Sequence, residues 1–289
     1  MLDPQKVLTV VRKAATLFRA TPGRTGSVIR LDSAKDVLVV GDLHGHVHVC
    51  AQVIKLAALD RHPGRHLVLQ ELVHDSRIDP DEGQVDRSHR LVDLVCALKC
   101  QYPDRVHVIL GNHELSELTG RSISKKGFAL NALFRQGVQE SYGEQTDAIL
   151  EAYADLFRSW PLACRTPNRV YLCHTVPDGD RLPKLDLTIL KTGRWPAESM
   201  QRGGTVYDLS WGRDTRPETA EAFARIMDAD WFVTGHHPCM EGFRQANARH
   251  LIVDGTDPYP SACLFSAQEP MSFDRLCRSV VRVPMGLEG

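Results

Sequence analysis

Apolar side chains recur along this chain at two spacings, one helical and one of strands. Over residues 4–19, Val7, Val10, Val11, Ala14, Leu17 and Phe18 share one helical face, with Lys6, Arg12 and Lys13 between them and Pro4 at the opening. A turn-rich stretch, Thr21-Pro22-Gly23-Arg24-Thr25-Gly26, separates this helix from the domain proper. Continuous apolar runs then alternate with helical patterns. Residues 36–40, 66–69 and 106–110 read as buried strands, and residues 47–59 and 88–100 as the helices between them. Such alternation predicts right-handed crossovers and a largely parallel sheet at the start of an α/β protein. Residues 114–160 carry helical stripes and read as a helical excursion over the sheet's carboxyl edge. Beyond Trp160-Pro161 the strands become short, at residues 162–164, 169–173, 231–233, 250–253 and 262–265. A helix at 217–229 and a looser stretch near 183–202 interrupt them.

Composition narrows the class. At 289 residues the length suits one large domain with excursions, and a formal charge of −1 offers no basic face for nucleic acid or an anionic membrane. The division expected is a helix and linker over residues 1–30, the main domain over 31–270 and an extension over 271–289. The eight cysteines form no Cys-x-x-Cys pair and most lie in apolar runs, which predicts reduced, buried thiols. With no signal-peptide layout at the N-terminus and no apolar run near the ~20 residues of a membrane span, a cytoplasmic location is expected. Nucleic acid and membrane are not expected as partners; the oligomeric state is left open.

The chemistry concentrates at strand ends. Gly41-Asp42-Leu43-His44-Gly45, Gly111-Asn112-His113-Glu114 and Gly235-His236-His237 each follow an apolar run and deliver oxygen and imidazole donors. Such donors suit Mn, Fe, Zn or Mg, not a thiolate-bound metal. Ligands of open α/β sheets bind outside the carboxyl ends of the strands. Glu71 and His174 also stand at strand ends. If one carboxylate bridges, these residues can hold two divalent ions that polarise a phosphoryl group and lower the pKa of a bound water.

The order of these motifs resembles the phosphoprotein phosphatase branch of the calcineurin-like metallophosphoesterases. The Gly41–Gly45 and Gly111–Glu114 motifs match in full, and His174 and His236 match as single ligands. The stretch Asp208-Leu209-Ser210-Trp211-Gly212-Arg213-Asp214 is similar to the family segment that brings a phosphate-binding arginine. The resemblance covers residues 36–265 and implies a two-sheet β-sandwich flanked by helices. It implies that Asp42 and His44 hold one divalent ion and Asn112, His174 and His236 a second, with Mn, Fe or Zn as the ions. His113 becomes the general acid that protonates the leaving oxygen. The implied reaction is attack of a metal-bound hydroxide on a phosphate monoester, carried by a phosphorylated protein or a small phosphate ester.

The second motif departs from the family pattern. Where Gly-Asp-x-x-Asp-Arg-Gly is usual, this chain reads Gln70-Glu71-Leu72-Val73-His74-Asp75-Ser76. Glu71 stands in for the bridging aspartate with one extra methylene, so the metal spacing or the local backbone must adjust. His74 replaces the aspartate that orients the general acid, and it is expected to depress the pKa of His113 instead of supporting its protonated form. Asp75 replaces a phosphate-binding arginine, and Leu110 another. Arg77 and Arg213 remain as candidate phosphate clamps, with an ion pair to Asp208 or Asp214 as the structural alternative for Arg213. The alternatives are a catalytically weak or inactive metal-binding pseudophosphatase acting as a binding module, and a dinucleoside polyphosphate hydrolase. No nucleophile elbow, P-loop or dinucleotide fingerprint is present.

Overall fold

The computed structural model describes residues 3–285 apart from 76, 126 and 257. Ser76 of the altered motif and residues 286–289 of the expected extension lie outside the described residues. Two sheets face each other with helices on their outer sides. The five-stranded sheet runs in the order Val280–Arg282, Ser261–Ser266, Asp36–Asp42, Arg65–Gln70, Val106–Ile109. The three strands at 36–42, 65–70 and 106–109 are mutually parallel, as the alternating pattern predicts. In the seven-stranded sheet, Val170–Cys173, Trp231–Thr234 and His250–Val253 form a second parallel core.

The apolar runs are continuous because both faces of these strands are buried. Val37 and Val39 point into the layer between the sheets with Val68, Leu172 and Val233. Leu38 and Val40 point the other way, under the helices, with Leu67, Leu69 and the aromatic rings of Phe18 and Trp160. A period of two therefore divides each strand between two cores. The helix Pro4–Arg19 starts on an Asp3 cap and buries Val7, Leu8, Val11, Ala14, Ala15 and Phe18, so it closes the main core.

Three stretches differ from the pattern-based expectation. The excursion at 114–160 is not all helix: the helices Asn112–Thr119, Leu130–Tyr142 and Thr146–Arg158 are interrupted by a hairpin, Ser124–Lys125 with Phe128–Ala129. Gly127 lies in that turn at φ +87°, a value that favours glycine. The strand Phe243–Asn247 pairs antiparallel to 250–253 but carries mostly polar, half-exposed side chains, so it leaves no apolar signal. Residues expected as an extension add the helix Phe273–Arg278 and the strand Val280–Arg282, which pairs with 261–266 as the edge of the smaller sheet. Among the described residues, no helix is long and apolar enough to cross a membrane.

Phe18 is fully buried, with its ring 6.2 Å from that of Trp160. Phe18→Ala is expected to lower unfolding free energy by about 3–5 kcal/mol in urea titrations. A loss below about 1 kcal/mol would show that the first helix is not part of the folding core.

Candidate metal centre

Each metal-donor motif is a strand end whose backbone leaves little room. A Cβ on Gly235 would fall 2.3 Å from Asp42 Oδ1, and one on Gly111 would fall 2.7 Å from Glu71 Oε1. Glycine is the residue that lets these chains pass so close to the carboxylates. Strain gathers here as well. His44, Glu71, His74 and His236 all have left-handed backbones, with φ of 39°, 41°, 66° and 65°. Non-glycine residues adopt that region at a cost of order 1–3 kcal/mol each, and they do so where the surroundings over-determine the conformation.

Asp42, Glu71, Asn112, His174 and His236 converge from both sheets and are all buried. Asp42 Oδ2 accepts the backbone N–H of His236 at 2.9 Å, which ties the carboxyl ends of the two sheets together. His174 is central. Its Nε2 lies 3.0 Å from Asn112 Oδ1, 3.1 Å from His236 Nδ1 and 3.6 Å from Glu71 Oε2, while its Nδ1 lies 3.6 Å from Asp42 Oδ1. Glu71 Oε2 is also 3.7 Å from His44 Nε2, and Glu71 Oε1 accepts the backbone N–H of His113 at 2.7 Å. Two sets of donors close enough to share an ion result: Asp42, Glu71, His174 and His236, and then His44, Glu71 and His113. Glu71 belongs to both.

The electrostatics fit cations. Burial, followed by the neighbouring Asp42 and Glu114 carboxylates, pushes the Glu71 carboxyl well above its ordinary range. Burial likewise raises Asp42 to about 7, against the pull of the His236 N–H. The histidines shift the other way: burial lowers His44 to about 4 and holds His113, His174 and His236 well below neutrality. Neutral imidazoles beside crowded carboxyls are the donor form a divalent ion needs. Asp42 Oδ1 and His236 Nε2 are buried with no hydrogen-bond partner, as expected of atoms that coordinate. The residues therefore fit a pair of divalent ions.

Beside the carboxylates, the His113 ring sits 4.6 Å from that of His44 and faces the same cleft. His74 lies behind His113, fully buried, with its Nδ1 3.0 Å from His113 Nδ1. Arg213 lines the cleft and donates to the His236 carbonyl at 3.1 Å. The ion pairs weighed for it do not form, because Asp208 is taken by Arg181 and Asp214 by Arg216. Arg77 is placed differently from the expected clamp. Its guanidinium chelates Asp75 at 2.7 and 2.9 Å, and it is not among the residues that line the cleft.

Two residues of the site, Lys125 and Glu117, were not singled out by the pattern reading, and Glu114, part of a quoted motif, was given no role there. Lys125, on the hairpin hidden inside the supposed helical stretch, lines the cleft. Glu114 is fully buried and accepts the backbone N–H groups of Leu72, Val73 and Gly111, pinning the loop after Glu71 to the following helix. Glu117 accepts from His74 Nε2 at 2.8 Å. It stands four residues after His113 on one helix, so its i,i+4 spacing was a usable signal. All eight cysteines are free thiols, and burial raises them above their ordinary pKa, so none supplies a thiolate.

Gly235→Ala is expected to displace the Asp42 carboxylate and lower bound metal in elemental analysis of folded protein; unchanged metal content would contradict the close packing. Because Asp42 is raised to about 7, protons compete with cations below that pH. Its ionised form predominates only above it, and the shared Glu71 carboxyl is raised as well, so divalent-ion affinity should rise with pH through neutrality. Calorimetric titration with Mn²⁺ should show roughly tenfold weaker binding per pH unit, per proton displaced, between about pH 7 and about pH 6. Equal affinity at both would contradict it.

Comparison with known proteins agrees with this geometry. The chain is 26% identical over 174 residues to the serine/threonine-protein phosphatase PP2A-like PPG1 of Candida albicans, covering 60% of this chain and 35% of that one. It is 23% identical over 272 residues to human serine/threonine-protein phosphatase 5, covering 86% and 46%. It thus spans less than half the length of these curated relatives. In fold it is similar to a Saccharomyces cerevisiae protein serine/threonine phosphatase, at a TM-score of 0.71, 16% identity and coverage of 98% and 89%. A cold-active protein tyrosine phosphatase shares the fold at a TM-score of 0.58, 12% identity and coverage of 84% and 76%. The calcineurin-like phosphoesterase family matches residues 35–240, well over half of the chain, and the protein belongs to that family.

Proposed function

We propose that this chain is a di-metal phosphomonoesterase whose substrates are phosphorylated serine or threonine side chains of proteins. The observation that carries the reading is the buried Glu71 carboxylate common to two donor sets at the meeting of the sheets. Asp42, Asn112, His174 and His236, with His44 and Glu71, would hold two divalent ions. When bound, such ions polarise the phosphoryl oxygens and activate a water for in-line attack. The substrate class is taken from the curated relatives, which are named serine/threonine-protein phosphatases.

The residues of the chain supply the rest. Among the described residues lining the cleft, Arg213 and Lys125 are the cations outside the histidines, and they orient the phosphate from opposite sequence regions. Arg213 is steadied by its bond to the His236 carbonyl. His113 faces the cleft and gives a proton to the departing oxygen. A metal-binding module with little turnover is the competing reading. It is favoured by Arg77, whose fork is occupied by Asp75 instead of pointing at the cleft.

Hydrolysis of a phosphothreonine peptide and of p-nitrophenyl phosphate, with Mn²⁺ added, separates the two. Asp42→Asn is expected to abolish both activities. His113→Asn should lower kcat on the peptide by about 10²–10⁴-fold with metal retained. Arg213→Ala should raise KM by roughly 10–100-fold, the worth of a charge-assisted hydrogen bond. A wild-type protein that binds metal yet turns over neither ester would establish the binding module instead.

A further inference from the structure

We infer that Glu117 is a positioning residue for His113, acting through His74, so that two side chains do here what one carboxylate would do. This rests on His113 being the group that protonates the leaving oxygen. One backbone amide sets the direction of every hydrogen bond in the chain that links them. Ile123 N–H donates to Asn131 Oδ1 at 3.1 Å, which fixes the orientation of that side-chain amide. Asn131 Nδ2 is then the donor, and it gives one hydrogen to Glu117 Oε1 at 2.6 Å and the other to Ser116 Oγ at 3.2 Å. Ser116 Oγ donates onward to the His113 carbonyl at 2.8 Å.

Glu117 Oε1 is therefore an acceptor, and His74 Nε2, 2.8 Å away, carries a hydrogen. An imidazole protonated on Nε2 offers its Nδ1 lone pair. That lone pair lies 3.0 Å from His113 Nδ1, so His113 must donate Nδ1–H to it. His113 is thereby held with Nδ1–H engaged, so a proton taken up at Nε2 makes it an imidazolium whose Nε2–H passes to the leaving oxygen, leaving neutral His113 with Nδ1–H still bonded to His74. The Glu117 charge polarises the Nε2–H bond of His74 and makes its Nδ1 a stronger acceptor.

The backbone supports the same arrangement. His74 sits at φ +66°, its N–H donates to Ser88 Oγ at 3.0 Å, and its ring rests edge-on against Phe134 at 5.7 Å. Both ring nitrogens and one side of the ring are therefore engaged. Ile123 also lines the cleft next to Lys125, so the hairpin that meets substrate is joined through Asn131 to the group that orients the acid.

Two measurements on the full chain test this. The first is ¹⁵N NMR of the histidine rings, with His74 assigned by comparison with His74→Gln. His74 should carry its proton on Nε2 in the wild type, and Glu117→Ala should bring in the other tautomer. The second compares leaving groups. A poor leaving group, phenyl phosphate, needs a proton in the transition state more than 2,4-dinitrophenyl phosphate does. Glu117→Ala should lower kcat about 10²-fold on the first ester and only a few-fold on the second, with KM and metal content near wild type. Glu117→Gln keeps an oxygen acceptor without the charge and should fall between.

Nδ1–H on wild-type His74, or an equal loss on both esters, would overturn the inference. Failure of the wild type on every ester would refute the phosphoesterase reading instead, and the tautomer alone would then decide the role of Glu117.

Discussion

Glu71 is a carboxylate with almost no contact with water, set beside a second buried carboxylate, and the site is organised around that placement. Leaving a charge there without a counter-charge would be prohibitive, since desolvation alone amounts to several kcal/mol per ion. The fold answers partly with the backbone N–H of His113 and partly with a ring of imidazoles kept neutral by the same burial. A pair of divalent cations would complete the balance. The strained backbones of His44, Glu71, His74 and His236, and the absence of side chains at Gly111 and Gly235, are consequences of bringing so many donors to one point.

The scaffold makes that convergence possible because two parallel strand cores face each other and end at the same edge. The contact between Asp42 and the His236 N–H is where they meet. Around it, Glu114 holds the loop 71–74 against the helix that carries His113 and Glu117. Asp42 ends a strand, Asn112, His113 and Glu117 stand on one helix, and the other donors lie in the short turns just past strand ends, with Lys125 of the hairpin lining the same cleft.

Much of this was legible in the chain. The strands at 36–42, 65–70 and 106–109 were plain because burial on both faces leaves an uninterrupted apolar run. The candidate donor residues could be picked out because each follows such a run within a few residues. Less regular elements were hidden for physical reasons. The hairpin at 124–129 is too short for an alternating pattern, and the strand at 243–247 packs on one side only, with polar residues outward. Arg77, read as a candidate phosphate clamp, pairs in the structure with Asp75 two residues earlier, a pairing the motif alignment did not suggest. His113 is lowered first by burial, then by its neighbours His44 and His74, so position 74 is a minor cause beside the burial that the sequence did not show. What no reading of position 74 alone could supply was Glu117, whose carboxylate reaches that histidine from the helix Asn112–Thr119.

Anomalous diffraction from crystals loaded with Mn²⁺ would address the shared carboxylate directly. Two peaks are expected at the sheet edge, both in coordination contact with Glu71, one also touching His174 and His236. A single peak, or two peaks of which one ignores Glu71, would contradict the bridging role on which the rest depends.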